Sequence, residues 1–175
     1  MQEQQLSQLC QLGAQFTARS GMEQAVSAGM LRGRPFGGVC IAWSHDLDHV
    51  MNPVSNYRHK RVVAAEMKTK IKSILLISVY MPFYYASNRE QCLAETLDTI
   101  SMIDSLINDH PHHLVIIGGD LNTELAGNSP FDVMWEELKN SKGLAYCNHL
   151  FSSPGYTYHH ESLGHKKVID HFIVS

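Results

Sequence analysis

The ten residues from 113 to 122, HLVIIGGDLN, constrain the fold of this chain more than any other segment. The apolar and mostly β-branched run 114–117 has the length and composition of a buried strand covered on both faces. Two glycines then remove side-chain bulk where the backbone must bend or admit a ligand. Because the functional crevice of an open α/β sheet lies beyond the carboxyl ends of its strands, we expect Asp120 and Asn122 to emerge into it.

Asp120 and Asn122 suit phosphate ester chemistry. An ionised aspartate can hold a hard cation such as Mg²⁺ or accept a proton from water, while a neutral amide can orient a water or a phosphate oxygen. The same pair also suits an Asx turn that merely ends a strand. The D-x-N spacing is by itself a weak motif, so both interpretations stay open on spacing alone.

The composition indicates one folded domain. The chain has 175 residues and is 44% hydrophobic, which allows a substantial core. No apolar run approaches the ~20 residues of a membrane span, and the first residues lack the basic start and apolar block of a secretory peptide. The four cysteines are scattered without a CxxC pair, which indicates a reducing intracellular compartment, the cytoplasm or the nucleus.

The formal net charge of −3 argues against a protein that holds nucleic acid through a strong general positive field. Any phosphate-binding surface must therefore be local. Three short basic clusters are candidates, although each also suits ordinary solvated charge: Arg32 with Arg34, Arg58 with Lys60 and Arg61, and Lys166 with Lys167. The eleven histidines show no recognised ligand spacing such as HExxH, so we do not predict a zinc site.

Hydrophobic periodicity predicts helices interspersed with strands. Helices are predicted at 1–18, 89–109 and 131–139, and strands at 39–43, 61–67, 74–80, 155–159 and 168–174, besides the strand before Asp120. The segments 61–67 and 74–80 are expected to be neighbouring antiparallel strands. Alternation of this kind predicts a layered α/β sandwich.

Polar residues lie at or near the ends of three predicted strands: Tyr80 after SILLISV, Asp120 and Asn122 after LVIIGG, and Asp170 within KVIDHFIVS. Together with Glu3 in MQEQQL, this set resembles the endonuclease/exonuclease/phosphatase superfamily. It is most similar to the apurinic-type endonuclease domain of non-LTR (LINE-like) retrotransposons. Five segments resemble family motifs in the right order and span nearly the whole chain: MQEQQL, RGRPFGGVCIAW, SVYMPF, IIGGDLN and YTYHHESLGHKKVIDHFIVS.

This resemblance implies a role for each of these residues. Glu3 would bind the metal, Mg²⁺ or Mn²⁺, as a carboxylate ligand of a cation that keeps several waters. Asp120 would activate or position the attacking water, and Asn122 would orient that water or the scissile phosphate. Tyr80 would hydrogen-bond a phosphate oxygen as negative charge develops. Asp170 would orient a catalytic histidine from behind.

Two further residues near the carboxyl end enter the prediction. Thr157 would touch the nucleic-acid backbone near the site. His171 is adjacent to Asp170, but alternate residues of a strand face opposite ways, so both cannot point into one crevice. We therefore leave His171 out of the expected catalytic set.

The resemblance implies a single DNase I-like α/β sandwich over residues 1–175, incomplete at its N- and C-termini. A first-strand Asn before the Gln-Glu motif and a Ser-Asp-His segment are both missing from the sequence. Phe83 also stands where repair-type relatives carry a polar residue, which argues against abasic-site specificity.

The implied function is a metal-dependent phosphodiesterase, a DNA endonuclease domain of retroelement origin, weak or inactive as this fragment. It would belong to a longer polyprotein with a reverse transcriptase. Two alternatives stay open: a non-catalytic remnant or binding module of the same fold, and a phosphomonoesterase of the same superfamily that acts on an inositol or lipid phosphate.

Overall fold

The structure is a computed structural model that describes residues 14–19, 38–84, 86–125, 127, 129–147 and 155–175. Its strands are β1 (Ala14–Arg19), β2 (Val39–Ser44), β3 (Met51–His59), β4 (Val62–Met67), β5 (Ile74–Tyr80), β6 (Leu114–Asp120), β7 (Ala145–Tyr146), β8 (Tyr158–His160), β9 (His165–Lys167) and β10 (Asp170–Val174). Its helices are α1 (Arg89–Asp109) and α2 (Pro130–Lys142), with short 3-10 turns at His45–Leu47 and Ala86–Asn88.

Six strands form the central sheet in the order β3, β4, β5, β6, β10, β7. The strands β5 and β6 run parallel, and every other neighbouring pair in this sheet is antiparallel. A parallel pair needs a crossover connection, which α1 supplies. The carboxyl ends of β5 and β6 therefore meet at the same edge of the sheet. The pairs β1–β2 and β8–β9 are separate antiparallel ribbons.

One face of the central sheet carries the main core beneath both helices. Side chains alternate between the two faces along each strand, so every second strand residue enters this core. The core includes Val62, Ala64, Leu75, Ile77, Val79, Val115, Ile117 and Ile173 from the strands and Ile100, Ile103, Leu106, Trp135 and Leu138 from the helices. Full burial of a side chain of this size contributes roughly 1.5–3 kcal/mol, so this layer supplies most of the hydrophobic stabilisation.

The two helices end where their sequences indicate. The buried positions of α1 recur at steps of three and four residues, as in an amphipathic helix. In α2, Ser129 accepts a hydrogen bond from the backbone of Asp132, whose side chain accepts one from the Ser129 backbone in return. This capping box satisfies N–H groups at the helix start, and Gly143 ends the helix in the left-handed conformation with φ of 64°.

The opposite face of the sheet is covered unevenly. Over β4 it is well buried, because β1 and β2 pack against β4 and β5 and both Val63 and Ala65 are buried. Over β6 and β10 the cover is thinner, since Leu114 is 39% and Phe172 is 58% exposed. The Phe172 ring lies over Gly118, where an added Cβ would come within 2.6 Å of it.

Most of the predicted elements are confirmed. The structure is a layered α/β protein with a central sheet, and α1 occupies the predicted residues. The two strands predicted as antiparallel neighbours are β4 and β5. The helix predicted at 131–139 is α2, extended to 130–142. No helix within the described ranges is both long enough and apolar enough to cross a membrane.

Three predictions need correction. The helix predicted at 1–18 is wrong where the structure describes it, because residues from Ala14 onward pair with β2 as strand β1; residues 1–13 lie outside the described ranges. The strand before Asp120 is not covered evenly on both faces, since Leu114 is exposed while Val115 is 4% exposed. Of the strand predicted at 155–159, only the last two residues are in a strand. Residues 158–160 form β8, which pairs with β9 across a turn at 161–164.

Candidate functional site

Three of the predicted polar residues form a row across adjacent strand ends. Tyr80 at the end of β5 is the register partner of Asp120 at the end of β6. Asp120 is in turn the partner of Asp170 at the start of β10. Register partners direct their side chains to the same face of a sheet, so the phenol and both carboxylates share the face opposite the helices.

A close backbone contact fixes the spacing of this row. Gly119 has a φ of 151° and pairs with Val79. A Cβ at this position would lie 1.9 Å from the Val79 carbonyl oxygen, so any side chain would collide with the main chain of β5. Only glycine adopts such a conformation without strain. The residue before Asp120 therefore lets β5 and β6 approach closely at the site.

The Asx turn, which was the alternative interpretation of the D-x-N spacing, is present. The Asn122 backbone N–H donates to Asp120 Oδ1 at 2.9 Å, and Asn122 is in the left-handed region with φ of 51°, which asparagine tolerates better than most residues. Burial raises the pKa of the Asp120 carboxyl, the negative charge of Asp170 raises it further, and the Asn122 N–H opposes both. Raised carboxyl pKa values in a cleft are typical of functional sites.

The Asn122 side chain is held by the strand next to its own. Its Nδ2 donates to the Met81 carbonyl oxygen at 2.8 Å, and the Met81 backbone N–H donates to the Asp120 carbonyl oxygen at 2.9 Å. These bonds tie the segment after Tyr80 to the segment after Asp120. The amide orientation is thereby fixed beside the polar row before any ligand binds.

Asp132 anchors the loop that follows Asn122. Its carboxylate accepts hydrogen bonds from the Thr123 hydroxyl and from the Ser129 hydroxyl. Burial raises the pKa of Asp132, but these hydrogen bonds outweigh it and lower the pKa overall. The spacing Ser-x-x-Asp at 129–132 is a capping-box signal in the sequence. The same aspartate also supports the site loop, which no local sequence pattern indicates.

Arg61 packs beside Tyr80. Its guanidinium carbon lies 5.6 Å from the centroid of the Tyr80 ring, and Nη1 donates to the Tyr80 carbonyl oxygen at 3.4 Å. On its other side, Nη2 forms an ion pair with Glu95 at 2.7 Å. Burial raises the pKa of Glu95, but the hydrogen bonds from Arg61 and Gln91 outweigh it and lower the pKa overall. Arg61 therefore links helix α1 to the polar row.

A broad cleft of about 1520 Å³ opens at this edge of the sheet. Its lining contains three of the predicted site residues, Tyr80, Asp120 and Asn122. Besides Tyr80, four phenyl or phenol side chains line it, those of Phe83, Tyr84, Phe131 and Tyr158. Its other charged lining residues are the cations Arg61, Arg89 and Lys167 and the carboxylates Glu95, Glu124 and Asp132. Two of the basic clusters weighed from the sequence thus each contribute one residue to the cleft, while Arg32 and Arg34 lie outside the described ranges.

The remaining predicted residues fall in different places. Asp170 is exposed and belongs to the row but not to the cleft lining. The Thr157 hydroxyl oxygen accepts hydrogen bonds from the backbone N–H groups of Ile169 and Asp170 at 3.0 and 3.1 Å. His171 is 5% exposed and bonds through Nε2 to the Thr123 carbonyl oxygen at 2.9 Å. It faces away from Asp170, as predicted.

The capacity for a metal ion depends on the two aspartates. Mg²⁺ usually keeps several waters and takes one or two protein carboxylates. Among the described residues, Asp120 and Asp170 supply that number in one row, whereas no group of three or more metal-binding side chains occurs there. The predicted ligand Glu3 lies outside the described ranges. Burial and, to a smaller extent, the negative charge of Asp170 raise the pKa of Asp120. A bound cation would offset that negative charge, so the donor set fits a hard divalent ion.

The fold is shared with several solved structures. The endonuclease domain of TRAS1, a telomere-specific non-LTR retrotransposon, matches with a TM-score of 0.63 at 13% identity, over 93% of this chain and 67% of that one. An endonuclease/exonuclease/phosphatase family protein from Bacteroides thetaiotaomicron matches with a TM-score of 0.63 at 12% identity, over 98% and 65% of the two chains. The 3′ phosphatase NExo from Neisseria, bound to a product DNA hairpin, matches with a TM-score of 0.62 at 15% identity, over 97% and 69%.

This chain thus spans about two thirds of the length of each of these structures. No protein-family model matches it, and no curated protein matches it in sequence. Identities this low establish the fold alone. The chain has the α/β fold found in the endonuclease/exonuclease/phosphatase superfamily, and its resemblance to a non-LTR retrotransposon endonuclease domain is confirmed at the level of that fold.

Proposed function

We propose that this chain is a divalent-metal-dependent phosphodiesterase domain that hydrolyses DNA. The observation that carries the proposal is the row of Tyr80, Asp120 and Asp170 across three adjacent strand ends. Residues that are 40 and 50 positions apart in the sequence thus lie side by side at the ends of adjacent strands, and Tyr80 and Asp120 line the cleft. An Asx turn that only ended a strand would need neither the phenol nor the second carboxylate.

The side chains of the row divide the reaction between them. Ionised Asp120 accepts the proton of the attacking water through the oxygen that the Asx turn leaves available. Asn122, held by Met81, orients that water or a phosphate oxygen. Tyr80 donates a hydrogen bond to an oxygen on which charge develops. Burial and the negative charge of Asp170 raise the pKa of Asp120, which makes the Asp120 carboxylate a stronger proton acceptor.

A bound Mg²⁺ or Mn²⁺ would supply neutralisation of phosphate charge. Asp120 and Asp170 are the described residues that would hold it, together with Glu3 as the resemblance implies. Arg61 and Lys167 line the same cleft, where they are paired with Glu95 at 2.7 Å and Glu124 at 3.5 Å, and the exposed Arg89 side chain lines it as well. Since the lining also contains Asp120 and Asp132, a bound cation would be needed to offset its negative charge when a phosphate enters. The DNA hairpin in the Neisseria phosphatase supports a nucleic-acid substrate for this fold.

Thr157 is a proposed backbone contact. Its oxygen already accepts two backbone hydrogen bonds, so the hydroxyl proton is the part that a phosphate oxygen would use. The resemblance to retrotransposon endonucleases further supports action on chromosomal DNA, beside a reverse transcriptase in a longer polyprotein. Such a protein would work in the nucleus or the cytoplasm.

Nicking of supercoiled plasmid tests the proposal. We expect the full chain to convert supercoiled plasmid to open circles with Mg²⁺ or Mn²⁺ and not with EDTA. Asp120→Ala should lower that rate by about 10²- to 10⁴-fold, because the group that accepts the water proton is lost. Asp46→Ala is the matched control, since Asp46 is an exposed carboxylate of a 3-10 turn outside the cleft.

Two outcomes would reject the endonuclease. A chain that never nicks with either metal would leave the second interpretation, a non-catalytic module of the same fold. Nicking that survives Asp120→Ala would place the activity in a contaminant or another site.

Hydrolysis of a phosphomonoester is the second candidate function. One solved structure with this fold is a 3′ phosphatase, and the cleft is wide enough for either kind of ester. Release of inorganic phosphate from a 3′-phosphorylated oligonucleotide or from a phosphoinositide, without plasmid nicking, would favour it.

A further inference from the structure

An aromatic patch stands at the mouth of the cleft and has no role in the proposed hydrolysis. It consists of Phe83 and Tyr84, which follow the end of β5, and Phe131 in the first turn of α2. The Tyr84 and Phe131 rings meet edge to face, with centroids 5.6 Å apart and an interplanar angle of 67°. All three side chains line the same cleft as Tyr80 and Asp120.

The aromatic patch is not part of the core. Phe83 is 53% and Tyr84 is 43% exposed, whereas Met81, two residues before Phe83, is 2% exposed. Single exposed apolar residues are common on protein surfaces. Three aromatic side chains gathered in one cleft are a different case, because contiguous apolar surface usually marks a place where something binds.

Hydrogen bonds to the main chain of residues 81 and 83 fix the start of the aromatic patch relative to the polar row. The Cys92 thiol donates to the Phe83 carbonyl oxygen at 2.9 Å, which fastens the segment to α1. Met81 is bonded to both Asp120 and Asn122. Since Phe83 is three residues from Tyr80, their Cα atoms are at most ~11 Å apart, within reach of one extended nucleotide.

The chemistry of the cleft selects the class of ligand. Ring edges and faces suit a flat apolar group, while the exposed Arg89 side chain suits a phosphate in the same cleft. Arg61 and Lys167 also line the cleft, paired with Glu95 and Glu124. A nucleotide carries both features. In a regular duplex the faces of each base are covered by its neighbours, so an aromatic side chain can stack only on a base that is unpaired or turned out of the helix.

We propose that Phe83, Tyr84 and Phe131 form a stacking site for an unpaired nucleobase beside the phosphate that Asn122 orients. The substrate is therefore single-stranded or locally unpaired DNA. This inference rests on the proposed function for its account of the phosphate, and it names the form of DNA that the same site accepts.

Binding measured without turnover tests the inference separately from catalysis. The probe is a fluorescein-labelled single-stranded 12-mer, with anisotropy read in EDTA on the full chain. Its comparison probes are the same 12-mer with abasic tetrahydrofuran residues at the central positions and the fully paired duplex. We expect the wild-type chain to bind the intact single strand more tightly than either comparison probe.

The variants Tyr84→Ala and Phe131→Ala should weaken binding of the intact single strand by roughly 5- to 150-fold, the range of one lost base-stacking contact. They should leave the abasic probe unchanged. Leu97→Ala is the matched control, because Leu97 is 54% exposed on α1 and lies outside the cleft lining. Tyr84→Leu keeps apolar bulk without the aromatic ring, so it replaces Tyr84→Ala if that variant does not fold.

Equal affinity of wild type for the intact and abasic strands, or equal losses on both probes in the variants, would overturn the inference. So would a duplex that binds as tightly as the single strand. Loss of plasmid nicking in Asp120→Ala alongside any of these results would leave the proposed hydrolysis intact, so the two failures are distinguishable.

Discussion

The two faces of the central sheet serve different purposes. Beneath the helices, Ile117 and Leu75 are completely buried and Ile173 is 1% exposed. On the opposite face of β6 and β10, Leu114 and Phe172 remain exposed. At the edge of that face, the neighbouring positions carry the polar side chains of Asp120 and Asp170. Stability and the proposed chemistry therefore use alternate residues of the same strands. A substitution on the helical face of a strand should therefore lower stability, whereas a substitution at the next residue should affect mainly the open face and the proposed activity.

The neighbours Ile117 and Ile116 give the sharpest test of this division. Ile117→Ala should lower the free energy of unfolding by about 2–5 kcal/mol, because it leaves a cavity in the core. Ile116→Ala should cost distinctly less, since Ile116 is only partly buried on the open face. Urea-induced unfolding measures both, and equal losses would show that the open face is packed as tightly as the helical one.

Substitution of Asp132 tests how much its hydrogen bonds at the start of α2 and to the loop after Asn122 contribute to the free energy of unfolding. Asp132→Ala should lower the free energy of unfolding by about 2–3 kcal/mol, because it removes the Asp132 half of the capping box and takes an acceptor from the Ser129 and Thr123 groups. Asp132→Asn is the control that keeps an acceptor, and it should cost less.

The pH dependence of the same variants follows from the lowered pKa of Asp132. A carboxyl whose pKa is lower in the folded state contributes stability above its unfolded pKa of 3.8 and loses it as pH falls through the folded pKa. The gap between wild type and Asp132→Asn should thus shrink in acid. A gap that is constant with pH would assign the loss to packing instead.

Arg61 and Glu95 test the link between α1 and the polar row. A double-mutant cycle of Arg61→Gln and Glu95→Gln should give a coupling of about 1 kcal/mol, because the pair is close but only partly shielded from solvent. Arg61→Gln should also slow plasmid nicking, while Glu95→Gln slows it less. Chemical denaturation and initial nicking rates measure the two effects, and zero coupling would mean that the ion pair does not hold Arg61 against Tyr80.

Asp120 should show the smallest change in stability, and in the opposite direction. Asp120→Asn should raise the free energy of unfolding at neutral pH by about 0.5–1 kcal/mol while abolishing nicking, as stabilising changes at active sites often do. The folded-state pKa of Asp120 is raised, so ionisation costs stability as pH rises from the unfolded value of 3.8. The advantage of Asp120→Asn in EDTA should therefore vanish at low pH. An unchanged or lowered stability at neutral pH would contradict this.

The elements predicted correctly are those whose local pattern and tertiary surroundings agree. Helix α1 has a regular apolar period and a proline at 111, and its bounds were predicted to the residue. Residues from Ala14 onward also follow a helical period with Leu12, yet pairing with β2 makes them a strand, because tertiary contacts override weak local preference. Strand β3 went unpredicted, since it contains Pro53 and few apolar residues. It is an edge strand, where proline is tolerated.

The residues of the polar row could be singled out from sequence motifs, but their arrangement could not. Tyr80, Asp120 and Asp170 were identified from motifs, whereas the shared row depends on strand order and register. The aromatic patch could not be found in the same way, because Tyr84 and Phe131 are 47 positions apart in the sequence and meet only through the packing of α2. The predicted roles of Tyr80, Asp120, Asn122, Asp170, Glu3 and Thr157 stay predictions until the variants are measured.

The absence of a side chain at Gly119 has an evolutionary consequence. Main-chain atoms alone set the separation of the β5 and β6 backbones there, so an exchange of residues at that point cannot adjust the spacing of Tyr80 and Asp120 in small steps. On the proposed function, changes of substrate preference are expected from the surrounding loops and the aromatic patch rather than from position 119. A saturation library at this codon should return glycine alone among its active members.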